Sequence, residues 1–197
     1  MGIASAVVNG VIFLVTLVLT AGAFRRDGKW DPAGGKETFR FFTCQSNVFC
    51  AAAALLMCVF RLSGNVPVWA WALKYIGTVA VTITLMTVLL FLSRFYGLRE
   101  LLKGSSLFLH LLTPLMALFS FCVLEKRGMS FGFSMLGLLP LLLYGPLYLY
   151  KTIYAPEGKS WEDFYQFNRN GKWPVAFAAM LAGTFLICLG IMALQNL

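Results

Sequence analysis

Long apolar runs alternate with short polar connections along this chain. Six runs stand out, near residues 4–24, 41–60, 71–92, 105–123, 132–150 and 173–195. An α-helix rises about 1.5 Å per residue, so roughly 20 apolar residues cross the hydrocarbon layer of a bilayer. Each run therefore predicts one transmembrane helix. Period-two alternation is absent and each run is about twice the length of a barrel strand, which argues against membrane strands. Little chain remains outside the runs. The pattern predicts an all-α fold, a polytopic membrane bundle of six transmembrane helices, with residues 1–197 forming a single integral membrane domain.

The connections carry their own signals. Loop one, "RRDGKWDPAGGKETFR", is rich in Gly, Pro and Asp and predicts irregular chain. In loop five Ser160 and Asp163 form a helix-capping pattern and Asn170-Gly171 a stop. Between them Trp161, Phe164, Tyr165 and Asn168 fall on one helical face. A short helix lying in the membrane interface is the expectation; a lid over a site in the bundle is the alternative reading of the same stretch.

Composition sharpens this picture. The 197 residues are 59% hydrophobic and 12% charged, about half the charge of an ordinary soluble domain. The net charge of +8 would suit a nucleic-acid partner, but its distribution points elsewhere. Twelve of the 16 Lys and Arg residues lie in loops one, three and five; Arg61, Lys74, Lys126 and Arg127 lie on the other side. By the positive-inside rule the three basic loops face the cytoplasm and both termini lie outside it. The expected partners are the lipid bilayer and a lipid-like small molecule, with no nucleic acid. The first run has no basic residue before it and Arg25-Arg26 after it, the reverse of a secretory leader, and "MGIASA" lacks the Ser or Thr of a myristoylation signal. All five tryptophans fall in or beside loops, where the headgroup level favours them. The five cysteines lie within the runs as buried thiols, without zinc-type spacing, so no metal or cofactor is expected.

Candidate chemistry is concentrated in two runs. The second opens with "FFTCQSNVFC", where Thr43, Ser46, Asn47 and Cys50 follow the i, i+3, i+4, i+7 spacing of one helical face. In lipid such a stripe must turn toward other helices. Interhelical adhesion at about 0.6 kcal/mol per bond explains it without any chemistry. The only histidine, His110, lies inside the fourth run, and ionisable groups there face the bundle interior or a wet cavity. Both runs start on the basic side, and counting from Arg40 and Lys103 puts Thr43 and His110 within ~6 Å in depth. A hydroxyl becomes a useful nucleophile when an adjacent base takes its proton, and the two have the makings of that pair. Ser46, Asn47, Thr87, Tyr144 and Tyr148 are the candidate substrate-binding residues around it. No carboxylate is apparent to orient the imidazole, so Asn47 or a tyrosine is expected to do so.

At "RFFTCQSN" and "LHLLTP" the chain resembles the androgen-induced, FAR-17a-like multipass membrane proteins and their bacterial relatives. That resemblance implies a catalytic Thr43–His110 pair acting on fatty acid esters of hydroxy fatty acids, in a multipass protein of the bacterial cell membrane. Three readings follow. The first is an intramembrane hydrolase of lipid-like esters. The second is a small-solute or lipid transporter with His110 as polar ligand or proton relay; an absence of intramembrane carboxylates and of an inverted repeat speaks against it. The third is a structural membrane subunit whose polar face holds helices together.

Overall fold

The structure is a computed structural model that describes residues 2–197. Helix α1 (Gly2–Ala23) leads into a two-residue hairpin, β1 (Arg25–Arg26) and β2 (Lys29–Trp30), and then a short helix α2 (Pro32–Thr38). The long helices α3 (Phe42–Leu62) and α4 (Val68–Tyr96) follow. A single turn, α5 (Leu98–Leu101), precedes α6 (Ser105–Leu124), α7 (Phe131–Tyr154) and α8 (Trp173–Asn196). The six long helices are each long and apolar enough to cross a membrane, and the architecture is that of a multipass integral membrane protein.

Loop one is more ordered than its composition suggests. Asp31 caps α2 by accepting from Gly34 N at 2.9 Å, and Pro32 sets the first helical residue. The turn chemistry that reads as loop is here the start signal of a helix.

Helix α4 is the pillar of the bundle: 67% of its apolar window is buried, against 17% for α8. It packs on α3, α6, α7 and α8, while α1 lies against α3 and α6. Gly77 permits a close approach to backbone, because a Cβ there would stand 2.9 Å from the Cys50 Cα of α3. Trp71, Tyr75, Val79 and Ile83 line the buried side of α4 against Phe121, Leu141 and Cys188. Two interior hydroxyls of α4 are satisfied within their own helix: Thr78 donates to the Lys74 carbonyl at 2.9 Å, Thr82 to Thr78 at 2.7 Å.

Among the described residues the ladder widens to i→i+5 at four places, Thr87–Leu92, Phe108–Leu112, Ser120–Leu124 and Tyr150–Tyr154, and tightens to a 3₁₀ turn at Met135–Leu138. Such segments release or redirect backbone carbonyls. Two of them border the candidate site.

Loop five departs from the expected interfacial helix. Residues 156–168 form an irregular strap folded onto the bundle, followed by a single 3₁₀ turn at Arg169–Gly171. The reason is Asp163. Its carboxylate accepts from the backbone N–H groups of Phe167 (2.9 Å) and Asn168 (2.8 Å) and from the Tyr148 hydroxyl (3.0 Å). Local side-chain acceptors of this kind compete with the helical ladder. The strap drives Tyr165 and Phe167 into the bundle, where both are buried.

Trp71 likewise departs from its expected place in the headgroup layer. It is buried, and its indole N–H donates to the Glu125 carbonyl at 2.9 Å.

Candidate functional site

The site grows from the N-terminus of α3. The first N–H groups of a helix have no partner inside it. The Phe42 N–H meets one from outside, the Tyr165 hydroxyl of the strap, at 3.0 Å. The Thr43 and Tyr144 hydroxyls lie beside the same oxygen. Burial raises the Tyr165 phenol to about 12, opposed by the N–H groups at the helix start and by these hydroxyls. A second tyrosine ties the strap down: Tyr148 donates to Asp163 and accepts from Tyr165 N at 3.1 Å. Tyr144 donates to the Arg40 carbonyl at 2.7 Å.

The polar stripe of α3 splits three ways. Asn47 turns to α6 and donates to the Leu109 carbonyl at 3.0 Å, within an i→i+5 segment, as well as to Thr43 O at 2.8 Å. Its Oδ1 is buried without a protein partner. Ser46 turns to α4, pairing with the Thr84 hydroxyl at 2.9 Å and donating to Thr43 O at 3.1 Å. Thr43 stands between them.

His110 occupies the same widened segment of α6. Its Nδ1 lies 2.6 Å from the Leu101 carbonyl of α5. A carbonyl only accepts, so Nδ1 carries the hydrogen, and in the neutral ring Nε2 holds the free lone pair. The orienting group is thus a backbone carbonyl rather than Asn47 or a tyrosine.

Thr43, Asn47 and His110 line one groove of about 660 Å³ between α1, α3 and α6, roofed by Phe164 of the strap. Among the described residues no hydrogen bond joins Thr43 to His110; a shared groove joins them. Thr87, Tyr144 and Tyr148 lie on the other side of Thr43, around a small apolar pocket of about 30 Å³ that Thr43 also lines. Ser46 borders neither. It lines a crevice of about 430 Å³ between α3, α4 and α7, which it shares with Tyr144. Sequence reasoning thus assembled Thr43, Asn47 and His110 in one place and missed Tyr165 and the Leu101 carbonyl. The aromatic run "WEDFYQFN", read as an interfacial face, carried the only signal for Tyr165. A backbone carbonyl has no signature in sequence.

A second polar centre lies toward the opposite end of the bundle. Glu125, just past α6, is 0% exposed, as is Lys74 of α4. Glu125 Oε1 accepts from the hydroxyls of Ser5 (2.8 Å) and Ser120 and from the Asn9 amide. Glu125 Oε2, Asn9 Oδ1 and Lys74 Nζ are buried without protein partners. This corrects the expectation that the interior lacks a carboxylate. The spacing of Ser5, Asn9 and Thr16 along one face of α1 was its sequence signature.

Comparison of the chain with protein-family models, with curated proteins and with solved structures finds no match.

Proposed function

We propose that this protein is an intramembrane hydrolase of lipid-like esters, with Thr43 as nucleophile and His110 as general base. The observation that carries the reading is that His110, its Nδ1 held by the Leu101 carbonyl and its Nε2 left with the free lone pair, lines the same groove as Thr43. In the reaction Thr43 Oγ attacks the ester carbonyl as its proton passes to Nε2. The imidazolium then returns that proton to the leaving alkoxide, and an acyl-threonine forms. Water attacks the acyl carbon and gives a proton to Nε2, which restores it to the departing Thr43 oxygen. The oxyanion forms at the N-terminus of α3. There the Thr43 N–H, the Tyr165 hydroxyl and the positive end of the helix dipole favour negative charge, with single donors in known sites worth about 3 kcal/mol. The groove closes only when substrate draws the two side chains together, since catalytic bonds are often long in empty sites.

The short motifs "RFFTCQSN" and "LHLLTP", similar to those of the androgen-induced family, support the same pair. The bias of basic residues supports a cytoplasmic position for the groove mouth and both termini outside, and the family likeness with the short loops supports a bacterial cell membrane as the setting. Turnover of p-nitrophenyl esters in nanodiscs tests the reading. Thr43→Ala is expected to abolish it and His110→Ala to lower it by roughly 10²–10⁴-fold. Full activity in Thr43→Ala removes threonine as nucleophile.

The buried Glu125 and Lys74 favour one competing reading, a proton-coupled carrier with His110 as relay. Proton-dependent flux in liposomes, lost in His110→Ala and Glu125→Gln but kept in Thr43→Ala, would establish it instead.

A further inference from the structure

Three cavities meet around the start of α3, and the residues shared between them define how they connect. The groove that holds His110 and the small apolar pocket have one lining residue in common, Thr43. The apolar pocket and the outer crevice share Phe42 and Tyr144, whose rings stand 5.1 Å apart. The crevice is walled by Leu139, Leu143 and Phe49, all exposed on the outer surface of the bundle, where the neighbours of a membrane helix are acyl chains. The pocket behind it is lined by Ile83, Val88, Leu141 and Met180, with hydroxyl groups from Thr43, Thr84, Thr87 and the tyrosines. The groove is different in kind: Ser105, Ser106, Asn47 and His110 give it a polar floor, and α1 gives it an apolar wall.

We propose that Thr43 stands on the partition between two subsites. The acyl group of the substrate occupies the small apolar pocket, and the alcohol portion occupies the His110 groove. Acyl chains reach the pocket laterally from the bilayer, past a gate formed by Phe42 and Tyr144. The assignment rests on the hydrolase reading for its chemistry, but the acyl subsite itself is a binding site that exists without turnover.

The arrangement places each part of an ester where its chemistry is matched. The base must reach the leaving oxygen to protonate it, so the alcohol belongs on the His110 side. The acyl chain then extends to the other face of Thr43, away from the water that deacylation needs. At about 30 Å³ the pocket holds roughly two or three small groups of atoms, which fits an acyl group of a few carbons. A longer chain must part Phe42 from Tyr144 and run into the crevice of about 430 Å³. The bond from Tyr144 to the Arg40 carbonyl holds that gate shut.

Two measurements separate the subsites. The first compares hydrolysis of butyrate and dodecanoate p-nitrophenyl esters. Leu141→Ala and the milder Val88→Ala, checked for folding by size-exclusion chromatography, are expected to raise the long-to-short ratio at least tenfold. Phe42→Ala is expected to do the same by opening the gate, while Leu109→Ala in the groove leaves the ratio unchanged. A ratio that follows Leu109 and ignores Leu141 and Val88 overturns the assignment. The second uses a photoactivatable fatty acid with Thr43→Ala protein in nanodiscs and maps the adducts. Adducts on Val88 and Leu141, which bulk lipid does not touch, are expected. Adducts confined to Val18, Leu19 and Leu109 of the groove, or to outward-facing leucines, overturn the assignment. Adducts at Val88 and Leu141 in a protein that turns over no ester would keep the acyl subsite and remove the hydrolase.

Discussion

Tyr165 gives the head of α3 a partner from outside the helix, because its hydroxyl meets the Phe42 N–H group. Tyr165→Phe leaves that N–H buried and unpaired, a loss of about 1–3 kcal/mol. The phenol is raised to about 12 in the fold, against about 10 in an unfolded chain. Its contribution to stability is therefore complete below pH 10 and is lost as pH rises through 12. Stability against unfolding in detergent is expected to fall across that window in the parent protein and to fall less in Tyr165→Phe. Glu125 poses the opposite problem, a carboxylate surrounded by donors on one oxygen and by nothing on the other. Glu125→Ala strands the donors of Ser5, Asn9 and Ser120 together, and a destabilisation of roughly 1–3 kcal/mol is expected from thermal unfolding. Glu125→Gln keeps the accepting oxygen and should cost less. A Glu125→Ala protein as stable as its parent would show that the cluster contributes nothing to holding α1 against α6.

Among the elements, the strap of loop five shows how a single side chain redirects a segment. Asp163 supplies acceptors to two backbone N–H groups and to Tyr148, and the chain between them cannot continue as a helix. Asp163→Ala is expected to free the strap while the six long helices persist. Amide exchange over residues 159–171 should then accelerate, with α3 and α4 unchanged. Uniform acceleration across the molecule would mean that Asp163 supports the whole bundle. The spans themselves were legible in the sequence because each is an uninterrupted apolar run of sufficient length, and the boundaries agree within a few residues. The strap was not, because the pattern Ser160–Asp163 caps a helix or staples a loop according to which N–H groups come within reach. Glu125 was hidden for a related reason. In "CVLEKRG" it reads as a loop charge, and only Ser5 and Asn9, over 100 residues away, bring it inside.

At the scale of the molecule, α4 organises two polar regions near opposite ends of an otherwise apolar bundle. Between them lies a layer of Ile12, Cys50, Ala54, Val81 and Ala117, all buried. The two centres are consequently separate, and substitutions at Glu125 should leave ester turnover at Thr43 within about twofold, as distant independent sites usually do. Orientation belongs to this scale as well. The basic loops are expected to be reached by a membrane-impermeant thiol reagent only from the cytoplasmic side, using single cysteines placed at Lys36 and Lys159. Labelling from outside would reverse the topology and move the groove mouth with it. How much of the site was legible follows from the same geometry. Helical spacing and depth counting brought Thr43, Asn47 and His110 together, because all three lie on long helices entered from one side. Ser46 followed the same spacing, yet it pairs with Thr84 instead, since one helical face is wide enough to serve two neighbours. The central claim, that Thr43 is activated by His110, is tested most directly by locating a covalent adduct. Parent protein in nanodiscs is treated with a fluorophosphonate and the modified residue identified by tandem mass spectrometry. The expected result is a single adduct on Thr43 whose formation slows sharply in His110→Ala; an adduct on Ser46, Ser105 or Ser106, or one that forms on Thr43 at an unchanged rate without the imidazole, contradicts it.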